Sequence, residues 1–212
     1  MLLAATGVVA ACGSGSPGPS PAGQAPPVVA TDPDDGRPAP SALLDAALLA
    51  PTGLGEGWRQ SSHPPEPPPW PWLQADCPAY RDADYPAQRH RTGAVQRRYR
   101  HDGSAMVATH VVEAYEPGWA ARALDDVRRV LDTCRRYDAY GGTISFTLLD
   151  SDLPPQDGLI VQGRIESPGT SARSTLLVAV RHGERLSTIQ IPGPVDRRTG
   201  YAVAEKLGDL LD

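Results

Sequence analysis

Residues 90–115 read HRTGAVQRRYRHDGSAMVATHVVEAY, and at their centre Asp102-Gly103 is a strong two-residue turn signal between alternating apolar and polar positions. A two-residue turn there sets a hairpin with His101 opposite Ser104, Tyr99 opposite Met106 and Val95 opposite His110. One face then gathers Val95, Tyr99, Met106, Ala108, Val112 and Ala114. The other carries Gln96, Arg98, Arg100, Thr109 and Glu113 and is expected to be wet. Arg97 falls on the apolar face, which either a bulge or a buried ion pair would explain. His110 on that face reads as a hydrogen-bonded core histidine rather than a ligand.

The pattern continues on both sides of this hairpin. Residues 118–137 form the clearest helix, with Ala120, Ala123, Leu124, Val127, Val130, Leu131 and Cys134 on one stripe, so that Cys134 points inward. Residues 143–149 alternate as a half-buried strand, and 159–166 form another. Residues 173–191 make a second hairpin with Gly183-Glu184 at its turn, pairing Val180 with Ser187, Val178 with Ile189 and Leu176 with Ile191. A last helix spans 195–211 and buries Val203, Leu207, Leu210 and Leu211. Upstream, Ser41 caps a short helix carrying Leu43, Leu44, Ala47 and Leu48, and Pro51 stops it. The glycines of TGLGEGW at 52–58 lack the strand and helix of a phosphate loop and read as a turn into a short strand at 58–61. No strand-helix-strand repeat is sustained. The expected class is therefore α+β: a largely antiparallel sheet of about five to six strands, helices packed on one side, and one disulfide.

The N-terminal part is of another kind. Residues 1–11 are a short apolar run, MLLAATGVVAA, and an abrupt change to GSGSPGPSPAGQAPP follows Cys12. This is an export signal rather than a helix of the fold. Val9-Ala10-Ala11-Cys12 resembles the bacterial lipobox, whose cysteine is acylated and becomes the new N-terminus, although no Lys or Arg precedes the apolar run. Among residues 13–40, 16 of 28 are Pro, Gly or Ser, so 12–40 reads as a tether between lipidated Cys12 and a single domain at 41–212. With Cys12 acylated, as with palmitate, Cys77 and Cys134 remain as a pair, and outside the cytoplasm a disulfide between them persists. The bridge would join the helix stripe to LQADCPAY, a segment with few apolar residues to hold it.

A net charge of −5 over 212 residues, with no block of basic residues, argues against a dedicated nucleic-acid binder. No stretch approaches the roughly 20 apolar residues of a membrane span. The G-x-S-x-G, HExxH and P-loop patterns are absent, so no catalytic residue or cofactor is assigned. Asp150, Asp152 and Asp157 are the best carboxylate cluster, but beside Pro154-Pro155 such acids more often solvate a turn, and no metal is assigned. Arg89, Arg91, Arg97, Arg98 and Arg100 with His90 and His101 are the largest local charge excess. They are either a solvated sheet face or a surface for anionic lipid, polymer or an acidic partner. Six prolines between 64 and 71 stiffen Trp70-Pro71-Trp72 into an aromatic platform for a ligand or a lid over the sheet, and the scarcity of other aromatics favours the lid. A ligand is expected to enter between Trp70 and Trp72 and the face bearing Tyr99 and Met106.

The region 41–212 resembles the extracellular sensor-type domain of mycobacterial Ser/Thr receptor kinases of the H type, and the stand-alone lipoproteins of high-GC Gram-positive bacteria that share it. The residues that carry the resemblance are the Leu43-Leu44 helix, Gly55-Glu56-Gly57-Trp58, Cys77, Cys134, the loop from Leu153-Pro154 to Asp157-Gly158, and Arg181-His182-Gly183. The resemblance implies an antiparallel sheet flanked by helices, a cleft for an unidentified ligand and no catalytic residues. This chain lacks the cysteines of the second disulfide that such domains often carry. The reading is a lipid-anchored, extracytoplasmic, monomeric binding or sensing module with the membrane and an envelope small molecule, glycan or peptide as partners. Its alternatives are a secreted hydrolase with a dispersed active site and a structural or partner-docking envelope protein.

Overall fold

In the stretch Leu176-Leu177-Val178-Ala179-Val180, five successive residues are buried. Neighbouring strand residues point to opposite faces, so a strand apolar at every position needs cover on both sides. The computed structural model describes residues 40–61, 68–151, 153 and 157–212. Its elements are α1 (Pro40–Ala46), β1 (Trp58–Gln60), β2 (Arg91–His101), β3 (Val107–Tyr115), α2 (Trp119–Thr133), β4 (Arg136–Ala139), β5 (Gly142–Asp150), β6 (Asp157–Glu166), β7 (Arg173–His182), β8 (Arg185–Pro192) and α3 (Arg197–Leu211), with 3₁₀ turns at Pro51–Leu54, Asp82–Asp84 and Pro86–His90. The strands form one sheet in the order β1-β2-β3-β8-β7-β6-β5-β4, with antiparallel pairing throughout.

Helices cover both faces, which corrects the expectation of cover on one side. α2 lays Ala120, Leu124, Val127 and Leu131 against Leu159, Val161, Leu177, Ala179 and Leu186. α1 and α3 lie against the opposite set, Val112, Ile160, Leu176, Val178 and Ile189. The signal was present in the uninterrupted apolar runs of β6 and β7, which a one-sided sheet would leave half exposed. Each fully buried Leu or Val of these layers contributes about 1.5–3 kcal/mol relative to exposure. α3 approaches β6 closely because its second turn carries Gly200, where a Cβ would stand 2.6 Å from Ile160 Cγ2. Asp196 caps α3, accepting from the Thr199 amide at 2.8 Å.

The sheet has eight strands, not five to six. β4 lies where the sequence pattern ran the long helix on to residue 137; the helix stops at Thr133 and the chain reverses at Tyr140 and Gly141, both at positive φ (54° and 71°). Two successive residues of that kind match the twist of a tight hairpin and pair β4 with β5. The second hairpin has the expected register, Val180 with Ser187, Val178 with Ile189 and Leu176 with Ile191, with Gly183 at φ 55°.

In the first hairpin, Tyr99 pairs with Ala108 and Arg97 with His110, two residues away from the expected alignment. The connection runs through four residues, closed by the His101 amide on Met106 O, and Met106 lies outside the strand. A shift of two preserves which residues share a face. Val95, Tyr99, Ala108, Val112 and Ala114 therefore still face one way, toward α1. In α1, Leu44, Ala47 and Leu48 are buried whereas Leu43 is 52% exposed. The export signal at 1–11, lipidation of Cys12 and the tether at 12–40 fall outside the described residues, except for Pro40, which opens α1.

Candidate functional site

Residues 68–73, PPWPWL, form no regular element and run as a strap over the sheet. Prolines deny it backbone donors, so other groups hold it. Arg91 Nη2 donates to Pro68 O at 2.8 Å, Gln190 Nε2 to Pro71 O at 3.3 Å, and Trp72 Nε1 to Thr188 Oγ1 at 3.2 Å. Both indoles are buried, packed with Tyr85, Tyr115 and the α2 stripe. The Trp70 and Tyr85 rings lie 6.3 Å apart, and Tyr80 stacks on Tyr85 at 4.9 Å. The lid reading of Trp70-Pro71-Trp72 is the one that this packing fits.

The strap covers the face opposite to the expected one. Thr109, Val111, Glu113, Thr188, Gln190, Gln96 and Arg98 lie under or beside it, whereas Tyr99 faces α1 and its hydroxyl donates to Leu49 O at 2.5 Å. Trp70 and Trp72 are thus brought together, while Tyr99 and Met106 are not part of their surface. The polar face read as wet is half roofed, because its polar side chains are what a proline strap needs as donors. Among them Glu113 is wholly buried and pairs with Arg91 Nη1 at 2.9 Å. Burial pushes its carboxyl up to about 7, against the opposing pull of Arg91. Among the described residues, Glu113 Oε2, Tyr115 Oη and Trp70 Nε1 are buried atoms that find no hydrogen-bond partner. Burial first, and the Glu113 charge second, hold the Tyr115 phenol well above its ordinary value.

Where the strap ends, a groove of about 290 Å³ opens between it and the sheet. Its wall is Pro69, Trp70, Pro71 and Leu73, and its floor is Gln96, Arg98, Thr109, Val111, Thr188 and Gln190. Leu73 is 40% exposed and Arg98 is exposed. The combination of an apolar wall with amide, hydroxyl and guanidinium groups on the floor suits a small amphipathic ligand. A larger depression of about 570 Å³ at the β4–β5 turn is lined by hairpin ends, including Asp138, Gly142, Thr143 and Glu166.

The disulfide joins Cys77 to Cys134, with Cα atoms 5.9 Å apart. It ties the chain just beyond the strap to the end of α2. Asp126 of α2, itself buried, accepts from the Ala87 amide at 3.0 Å and pins the next loop.

The other candidates are dispersed. His110 is wholly buried: its Nδ1 accepts from the Leu49 amide at 3.0 Å, so the proton sits on Nε2, which donates to Ser187 Oγ at 2.7 Å. Burial first, then Arg97, pulls its pKa down to about 3. Asp150 is bonded to Tyr201 and lies four strand spacings from His110, roughly 19 Å. The two do not converge. Asp157 is occupied by Arg128 (3.2 Å) and Arg181 (3.0 Å), and Asp152 lies outside the described residues. Among the described residues no three His, Cys, Asp or Glu side chains are grouped to hold a metal ion.

The basic group divides. Arg97 resolves its anomaly without a bulge, by bonding Leu48 O, Leu49 O and Asp45 at 3.3–3.4 Å. His90 pairs with Glu116 at 2.8 Å and stacks on Trp119. Arg98 and Arg100 remain outward.

No family model matches the chain, and no curated protein matches it. Among solved structures, the chain is similar to the extracellular domain of PknH from Mycobacterium tuberculosis, with 14% identity, a TM-score of 0.54, and coverage of 82% of this chain and 97% of that one. The likeness is one of fold, and at that level it supports the resemblance to sensor-type domains read from the sequence. No helix among the described residues is long and apolar enough to cross a membrane.

Proposed function

We propose that this chain is a non-catalytic binding or sensing module, held by lipid on Cys12 at the outer face of the cell membrane, whose ligand seats in the groove beside the strap. The observation that carries the reading is the strap itself. A segment with two buried indoles is hung on the sheet by three side-chain hydrogen bonds and braced by a disulfide at its far end, yet it stops short of the β2–β3 margin and leaves a half-open groove. Further support comes from the fold likeness to an extracellular domain and from the lipobox-like Val9-Ala10-Ala11-Cys12. Convergence of Asp150, Asp152 or His110 in a polar pocket would favour the hydrolase alternative; Asp150 and His110 lie four strand spacings apart, and Asp152 lies outside the described residues.

The test is a thermal-shift screen of the full chain against cell-envelope glycans, lipids and peptides, since a ligand of the folded state raises its stability. A stabilising ligand is expected to lose its effect in Leu73→Trp, which narrows the groove. If every stabilising compound acts equally on Leu73→Trp, the groove is not its seat.

A further inference from the structure

Arg59, Arg98 and Arg100 share one face of the sheet corner formed by β1 and β2. Arg59 and Arg100 are direct register partners, and Arg98 follows on the same face of β2, roughly 7 Å along the strand. Like charges opposite each other on paired strands oppose the pairing. Arg59 has a carboxylate, Asp102, at 2.7 Å, with both side chains more than half exposed. Among the described residues, Arg98 and Arg100 make no ion pair and no side-chain hydrogen bond. The contrast with their neighbours is sharp, because Arg91 is spent on Glu113 and Pro68 O, and Arg97 on Asp45 and two carbonyls. The two uncompensated guanidinium groups are the ones beside open space.

That space is continuous in kind. Arg98 stands on the floor of the strap groove, with Pro71 and Leu73 as its apolar wall and Gln190 as a further amide. Arg59 and Arg100 line a neighbouring recess of about 470 Å³ together with Ser104 and with Asp102, the carboxylate that Arg59 already pairs with. A guanidinium offers a planar fork that matches phosphate and carboxylate oxygens. Two free cations and a third nearby exceed what one carboxylate neutralises, whereas a phosphate carries more charge and more acceptor oxygens. The chain as a whole is negative, at −5, so a general attraction for polyanions does not explain the local arrangement.

We propose that the groove binds a phosphate ester, with the phosphate on Arg98 and Arg100 and the organic part against Pro71 and Leu73. This deepens the binding reading given above and rests on it. The ester is either a free molecule or a lipid headgroup, two sources with the same chemistry.

The experiment titrates the full-length protein with glycerol 3-phosphate, followed by calorimetry and by amide chemical shifts, and in parallel sediments it with vesicles of phosphatidylglycerol and phosphatidylcholine (1:1) or of phosphatidylcholine alone. To separate headgroup binding from lipid anchoring, the vesicle arm uses Cys12→Ser protein. The expected result is saturable binding in at least one arm, with shifts at Leu73 and Gln190 for the soluble ester and a dependence on phosphatidylglycerol for vesicles. Arg98→Gln with Arg100→Gln is expected to weaken either by tenfold or more while keeping the melting temperature. The Lys pair at the same positions, which keeps the charge but not the fork, should retain part of the affinity. Binding to the soluble ester identifies a free ligand as sufficient; binding to vesicles alone identifies the headgroup. Binding undiminished in the Gln pair, or absent from both arms, overturns the inference. If neutral compounds still shift Leu73 and Gln190, the groove stands without the phosphate. Phosphate binding that depends on the arginines but leaves Leu73 and Gln190 unshifted overturns the seat in the groove.

Discussion

Arg91 joins Glu113 to the strap: one guanidinium nitrogen lies 2.9 Å from the buried carboxylate, and the other holds Pro68 O at 2.8 Å. Among the described residues, the one carboxylate buried completely in this sheet is thus also the anchor of the arginine that grips a proline carbonyl. On the opposite face of the same strand, His110 is equally buried. The two groups titrate in opposite senses, which leads to the first prediction.

Glu113 has its folded pKa raised from the ordinary 4.5 to about 7, so its contribution to stability is fully present below about 4.5 and is lost as pH rises through 7. His110 has its pKa lowered from 6.5 to about 3, so its contribution is present above about 6.5 and is lost as pH falls. Between 4.5 and 6.5 the two slopes oppose each other. Glu113→Gln should therefore melt progressively lower as pH falls from 7 to 5. His110→Asn, which keeps an acceptor for the Leu49 amide, should melt lower as pH rises over that range. Parallel pH profiles for wild type and both variants would refute the compensation.

Reduction of Cys77–Cys134 releases a 57-residue loop, a loss of about 4 kcal/mol on the chain-entropy account. The strap should loosen before the sheet. Hydrogen exchange of Cys77→Ser with Cys134→Ser is expected to speed up first at 70–80, with β6 and β7 protected longest. Alkylation without reductant should label neither cysteine of the exported protein; two labels would remove the bridge from the account.

Cys12→Ser is expected to move the protein from the membrane to the soluble fraction, with loss of the diacylglycerol and fatty-acid mass from the mature N-terminus. A variant that stays fully membrane-bound would remove lipid anchoring from the proposed function.

Gly200→Ala places a methyl group 2.6 Å from Ile160 Cγ2 and 2.9 Å from its Cδ1. α3 must then lift from β6, at a cost of about 1–3 kcal/mol, as overpacking usually has. Adding Ile160→Val should recover part of it. Melting temperatures of the single and double variants check both statements.

The legible parts of this molecule are those written in local spacing. Leu124, Val127, Leu131 and Cys134 lie on one helical stripe, and the Gly183 turn sets the register of the second hairpin, because both depend on neighbours in the chain. What covers a face is a long-range matter. Gln96, Thr109 and Gln190 look solvent-facing by type, and nothing within the hairpin tells that Trp70 and Trp72, more than 20 residues upstream, cross over that side. β4 was illegible for a different reason: its four residues follow a helix directly and alternate too briefly to register. Of the groove, the strap was readable from its prolines, whereas its floor was not.

The two margins of the sheet are its shortest strands, three residues in β1 and four in β4, while the inner strands run from eight to eleven. An open sheet invites other chains to add to its rims, and the number of ladder bonds on offer there sets how firmly they can attach. On β1 and β4 themselves a neighbouring copy would find only a few, next to Arg59 on one rim and to Arg136 and Asp138 on the other. Pairing through either of these two strands would therefore add little to hold two molecules in a shared sheet.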